Sequence, residues 1–198
     1  MGSQSVMTLS LFMPIAWTAA LCFVIFERTM GWIDIFRMTL SELSGVKPER
    51  FPFLVMAISV FLWQVSFIVS TCAAAYKRKG KWDNRTPRNL PEKKSGLPFR
   101  AQSAHYNEGE QFAITFVVVL ASLQLQNDVE WINFCLSGWV IHRVAYHLCY
   151  WTNIHALRSF TYLCAFWCTL FMLMSCVYEV DEVDGVLKGL ADRIPIVF

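Results

Sequence analysis

The chain has 198 residues, 56% of them hydrophobic and only 16% charged, with a formal net charge of +2. Soluble domains carry about a quarter charged residues, so this balance argues against an ordinary water-soluble fold. The length suits one domain without a separate soluble module, and the distribution of charge says more than its small sum.

A helix needs about 20 mostly apolar residues to cross a bilayer, and several stretches qualify. The first runs from about Thr8 to Phe26. Its leader, Met1 to Ser10, carries no basic residue and precedes no small-residue cleavage pattern, so a retained span is expected rather than a signal peptide. Trp32, Ile35, Phe36, Thr39, Leu40 and Leu43 then follow helical spacing, with Asp34, Arg37 and Glu42 between them. That pattern predicts an amphipathic helix, either in the membrane interface or packed on the bundle edge. Pro48 and Pro52 end this region.

The second predicted span is about Phe51 to Tyr76. A basic stretch follows, residues 77–100, with Lys77, Arg78, Lys79, Lys81, Arg85, Arg88, Lys93, Lys94 and Arg100 against Asp83 and Glu92. Pro87, Pro91, Gly96 and Pro98 make it a loop, and short loops rich in Lys and Arg stay cytoplasmic. Nucleic-acid binding is not expected, since no base-stacking platform accompanies the charge. Asn84-Arg85-Thr86 forms a glycosylation sequon that should stay unmodified on the cytosolic side.

Further spans are expected from about Pro98 to Leu125, Val129 to Trp151 and Leu157 to Tyr178, joined by turns at Gln126–Asp128 and Thr152–Ala156. An acidic tail, residues 179–198, then lies on the opposite side from the basic loop. The cysteines all fall in apolar segments without a Cys-x-x-Cys pair, and the four histidines lack metal spacing. Packing roles are expected for the cysteines and surface or packing roles for the histidines, with no metal site.

Ionisable groups at membrane depth are costly, which makes each a candidate site residue. Arg100, Ser103, Asn107 and Glu110 recur at i, i+3, i+7, i+10, sharing one helical face. Arg143, Tyr146 and Tyr150 share a face of the next span, and the last opens with Arg158, Ser159 and Tyr162. The topology brings these groups together near the cytoplasmic side. Arg100 could equally end the basic loop by reaching the headgroups, Glu110 could pair internally with Arg143 or Arg100, and the tyrosines could form an interfacial belt.

The stretch Arg100-Ala-Gln-Ser-Ala-His-Tyr-Asn107-Glu-Gly-Glu110, after its basic loop, resembles the MAPEG family, the membrane-associated proteins in eicosanoid and glutathione metabolism. Arg143-Val-Ala-Tyr146-His-Leu-Cys-Tyr150 and Arg158-Ser159-Phe-Thr-Tyr162 also look like that family. The resemblance covers about Phe51 to Tyr178. It implies an all-α integral membrane protein with a four-helix transmembrane bundle of MAPEG type over residues 51–178; the extra hydrophobic helix and the amphipathic helix expected at 1–50 have no counterpart in that pattern. It further implies a homotrimer that binds glutathione as co-substrate between subunits near the cytosolic face. The membrane would be of endoplasmic reticulum type in a eukaryote, or the inner membrane in a bacterium.

By resemblance, Asn107 and Glu110 match family residues that contact glutathione, Tyr146 and Tyr150 match aromatic ligand positions, and Arg158 matches the arginine that holds the thiolate. Arg100, Ser103, Ser159 and Tyr162 complete the implied glutathione site. Two positions depart from the family: Ser103 stands where members often carry a second arginine, and Tyr106 where the prostaglandin synthase has one. The implied activity is a glutathione-dependent transferase or peroxidase acting on lipophilic electrophiles or hydroperoxides. The alternative is a non-catalytic lipid-binding or scaffold member.

Overall fold

The computed structural model describes residues 3–77 and 96–191, which form seven α-helices without a strand among them. They are α1 (Ser3–Met30), α2 (Trp32–Ser44), α3 (Phe51–Lys77), α4 (Leu97–Gln124), α5 (Val129–Thr152), α6 (His155–Met174) and α7 (Val180–Ala191). The basic residues 78–95, with the Asn84 sequon, lie outside the described residues, as do residues 192–198.

The breaks between helices have local causes. Gly31 and Gly45 bracket α2 with φ of 70° and 64°, left-handed values that glycine adopts at little cost. Pro98 sits in the first turn of α4, where its missing N–H is no loss. Asp128 caps α5 by accepting from the Glu130 amide at 3.0 Å. At the far end Asn153, at φ 68°, lets the chain turn directly into α6.

α5 is the central helix, packed against α2, α3, α4 and α6, with Ile132, Leu136 and Trp139 closed off from solvent. Its approach to α6 depends on Gly138: a Cβ there would lie 2.9 Å from Cys168 Sγ and 3.1 Å from Ile33 Cδ1. Small residues at such crossings let helix backbones come close, a common device in membranes. α3 packs mainly on α4, while α1 lies on α6 and α7.

The segment Pro48–Tyr76 and helix α6 are long and apolar enough to cross a membrane. α4 and α5 are long enough but more polar, because they carry much of the buried polar interior.

Two elements differ from the sequence reading. α6 ends at Met174, short of Tyr178, where Asn127 Nδ2 donates to the Ser175 carbonyl at 3.0 Å and fixes the turn. The acidic tail forms α7, whose Val183 and Leu187 are buried. Its Asp184 lies 3.5 Å from Arg28 and 2.7 Å from Lys188. The charges of α1, α2, α5 and α7 meet at this end: Arg28 also lies 3.5 Å from Asp34, and Arg37 pairs with Glu130.

Candidate functional site

The polar side chains of α4, α5 and α6 gather at the other end, where the basic segment joins α4. Arg100 donates from Nε to the Tyr150 carbonyl and from Nη2 to the Trp151 carbonyl, both at 3.0 Å. A cation on the last carbonyls of α5 satisfies acceptors the helix leaves open and complements its dipole. Arg100 thus fastens α4 to the end of α5.

Ser103, one turn on, donates to the Phe99 carbonyl of its own helix. Asn107 reaches across: its Nδ2 donates to the Ser103 carbonyl at 3.0 Å and to Tyr150 Oη at 3.3 Å. Gln111 Nε2 donates to Tyr162 Oη at 2.9 Å, which joins α4 to α6. Tyr146, Tyr150 and Tyr162 form one aromatic group, with ring centroids 5.1 Å (146–150) and 5.9 Å (146–162) apart. The Arg158 guanidinium carbon lies 4.6 Å above the Tyr150 ring, within reach of a cation–π contact. Among the described residues no carboxylate lies within ion-pair distance of Arg158.

Of the residues singled out from the sequence, the structure brings Arg100, Asn107, Tyr146, Tyr150, Arg158 and Tyr162 together. Ser103 borders the group but spends its hydroxyl locally. Ser159 is exposed and bonds the His155 carbonyl at 3.3 Å. Glu110 is exposed and lines a separate cavity of about 520 Å³ with Trp63, Phe67, His105 and Tyr106 on the α3–α4 face.

Beneath the aromatic group lies a buried network that the sequence reading missed. Glu108, fully buried, accepts from Arg143 Nε at 2.7 Å and Ser59 Oγ at 2.8 Å, and His147 Nε2 lies 3.0 Å away. His147 Nδ1 meets Ser66 Oγ at 2.6 Å. Arg143 is also fully buried, its guanidinium carbon 4.3 Å over the Tyr146 ring. Arg143 therefore pairs with Glu108 rather than Glu110, and its charge forms the floor of the tyrosine group. The signal was present in α4: Ala101, Ala104, Glu108, Gln111, Thr115, Val118 and Ser122 repeat at three and four and are all buried. That stripe of small and polar residues marks the inward face of a helix in an apolar bundle, one position around from the face read first.

From α1, Glu27 Oε2 lies 2.8 Å from His142 Nε2 of α5. Among the described residues no group of three or more His, Cys, Asp or Glu side chains could hold a metal ion.

An all-helical chain with apolar spans and a convergent cluster of arginine, tyrosine and amide groups defines a membrane protein with an internal polar site. The MAPEG family model matches residues 53–178, and the chain belongs to that family of membrane proteins. No curated protein and no solved structure matches the chain. The matched span runs from the third residue of α3 past the end of α6 and holds every residue of the cluster, while α1, α2 and α7 lie outside it.

Proposed function

We propose that the chain is a membrane-embedded, glutathione-dependent transferase or peroxidase acting on lipophilic electrophiles or hydroperoxides. The observation that carries this is the seat of Arg158: its guanidinium lies over Tyr150, whose hydroxyl is held by Asn107, and no described carboxylate neutralises it.

Glutathione supplies a thiol, whose reactive form is the thiolate, while a free thiol ionises only near pH 8.5. A guanidinium keeps its charge under all ordinary conditions, so Arg158 can hold the negative sulfur. Asn107, Tyr150, Gln111 and Tyr162 offer neutral hydrogen-bonding groups to a peptide backbone. Arg143 and Glu108, paired and buried, fix the aromatic floor. Bringing two substrates together in one cleft then supplies much of the remaining rate.

The reading includes a four-helix protomer, α3 to α6, assembled as a homotrimer with the basic segment on the cytoplasmic side. Glu110, exposed beside Tyr106, is in position to face a neighbouring copy. The test is conjugation of glutathione to a lipophilic electrophile by purified membranes. Arg158→Ala should lose most of the activity, and wild-type turnover in that variant would remove Arg158 from the mechanism.

A second reading, a non-catalytic lipid-binding or scaffold member, draws on Arg100 and Ser103. Both are spent on backbone carbonyls, so fewer donors remain for the two carboxylates of glutathione. Thermal stabilisation of the solubilised protein by millimolar glutathione separates the two: the enzyme shows it, the scaffold does not.

A further inference from the structure

Helix α2 lies outside the family-matched span and packs on the first half of α5, at the end of the bundle away from Tyr150 and Arg158. Beside this contact is a cavity of about 280 Å³, just below the volumes of drug-sized sites, about 300–1,000 Å³. Met38 and Phe51 supply its apolar wall, and Arg37, Ser41, Glu42, Pro48, Glu130 and Asn133 supply the rest.

Most of the polar lining is already engaged. Arg37 pairs with Glu130 and lies 3.6 Å from Asp34. Ser41 Oγ donates to the Val46 carbonyl at 2.9 Å. Asn133, only 1% exposed, donates from Nδ2 to the Pro48 carbonyl at 2.9 Å. That bond fixes the amide, because a carbonyl can meet only its nitrogen. Asn133 Oδ1 is left as a buried acceptor with no donor, a state folded proteins seldom tolerate without a partner outside the chain. Glu42 is exposed, and among the described residues no cation lies within ion-pair distance of it.

The unmet groups are therefore acceptors, and the lining carries two carboxylates against one guanidinium. A matching ligand brings positive charge and N–H donors together, as a primary ammonium does with three. A choline head has no N–H and leaves Asn133 Oδ1 unanswered, while an anionic head meets Glu42 and Glu130 with like charge. The surroundings favour a lipid over a soluble amine. Trp32, Ile35, Met38 and Leu43 are exposed on α2, as on a helix lying in the membrane interface. Lys47 and Arg50 flank Pro48 in the chain, both exposed and without a carboxylate partner among the described residues, and such cations suit a lipid phosphate.

We propose that this cavity binds the primary ammonium of an ethanolamine phospholipid, between Glu42 and Asn133, with the phosphate at Lys47 and Arg50 and the chains along the exposed face of α2. The site stands apart from the tyrosine and arginine cluster and requires no glutathione.

The test is native mass spectrometry of the full chain in detergent with phosphatidylethanolamine, phosphatidylcholine and phosphatidylglycerol of identical chains. The first bound lipid should be the ethanolamine form, about fivefold or more over either competitor, and stepwise N-methylation of its head should erode that preference. Glu42→Gln, at an exposed position, should cut the preference about threefold to fivefold, and Glu42→Lys should abolish it. Glycerophosphoethanolamine, the same head without chains, should displace the lipid only weakly. Equal binding of the ethanolamine and choline lipids, or of the ethanolamine and glycerol lipids, overturns the proposal. So does a preference untouched in Glu42→Lys, or full displacement by micromolar glycerophosphoethanolamine, which would make the ligand a soluble amine.

Discussion

Glu108 and Arg143 are closed off from solvent together, and the energetics of that choice set the first expectation. Removing one partner of a buried pair leaves a charge with nothing to answer it, at a cost of about 3–5 kcal/mol. Glu108→Ala should therefore lower the melting temperature of the solubilised protein steeply. The double change Glu108→Leu with Arg143→Met should recover much of the loss, because it removes both charges at once. An unaltered transition in Glu108→Ala would show that the pair is not buried as described. Gly138 sets a second expectation by sterics: a Cβ 2.9 Å from Cys168 Sγ forces α5 and α6 apart, so Gly138→Val should cost about 1–3 kcal/mol by overpacking, read from the same thermal transition. The sequence made Asn107, Tyr150 and Arg158 legible because polar groups in apolar runs stand out. Glu108 escaped because two glutamates stand two residues apart on α4, and only the full repeat of small residues from Ala101 to Ser122 tells which one points inward.

Among the elements, α2 was readable from its periodicity, since five apolar residues and Thr39 recur at helical spacing with charged residues between them. α7 was harder to see. Glu179, Asp181, Glu182 and Asp184 dominate its composition, yet Val183 and Leu187, one turn apart, are the pair that is buried. The end of α6 depended on Asn127 reaching Ser175, a contact between residues far apart in sequence. α7 meets Arg28 at the end of the bundle away from Tyr150 and Arg158. Truncation after Tyr178 should thus lower thermal stability by exposing the apolar surface beneath Val183 and Leu187. It should leave the affinity for glutathione within about twofold, since energetically independent sites add. A large loss of affinity would mean that α7 supports the site directly.

For the whole molecule, the decisive feature is its polarity along the helix axes. α5 has 24 residues and is about 36 Å long at 1.5 Å per residue, enough to carry its ends across a hydrocarbon core of about 30 Å. One end holds the Asp128 cap and the charges of α2 and α7, and the other holds Tyr150 beside Arg100 and Arg158. Membrane-impermeant labelling should reach Lys93 and Lys188 from opposite compartments, and labelling of both from one side would contradict the orientation. Hydropathy marks Pro48–Tyr76 and α6 as apolar enough to span, but it could not show which helices touch, because apolar faces look alike in a sequence.

The most direct measurement is a glutathione-binding isotherm on the purified protein, wild type beside Arg158→Ala. Saturable binding in wild type, weakened about tenfold or more once the charge-assisted contact is removed, is the predicted result. Indistinguishable isotherms, or no binding by the wild type at millimolar glutathione, would contradict the account.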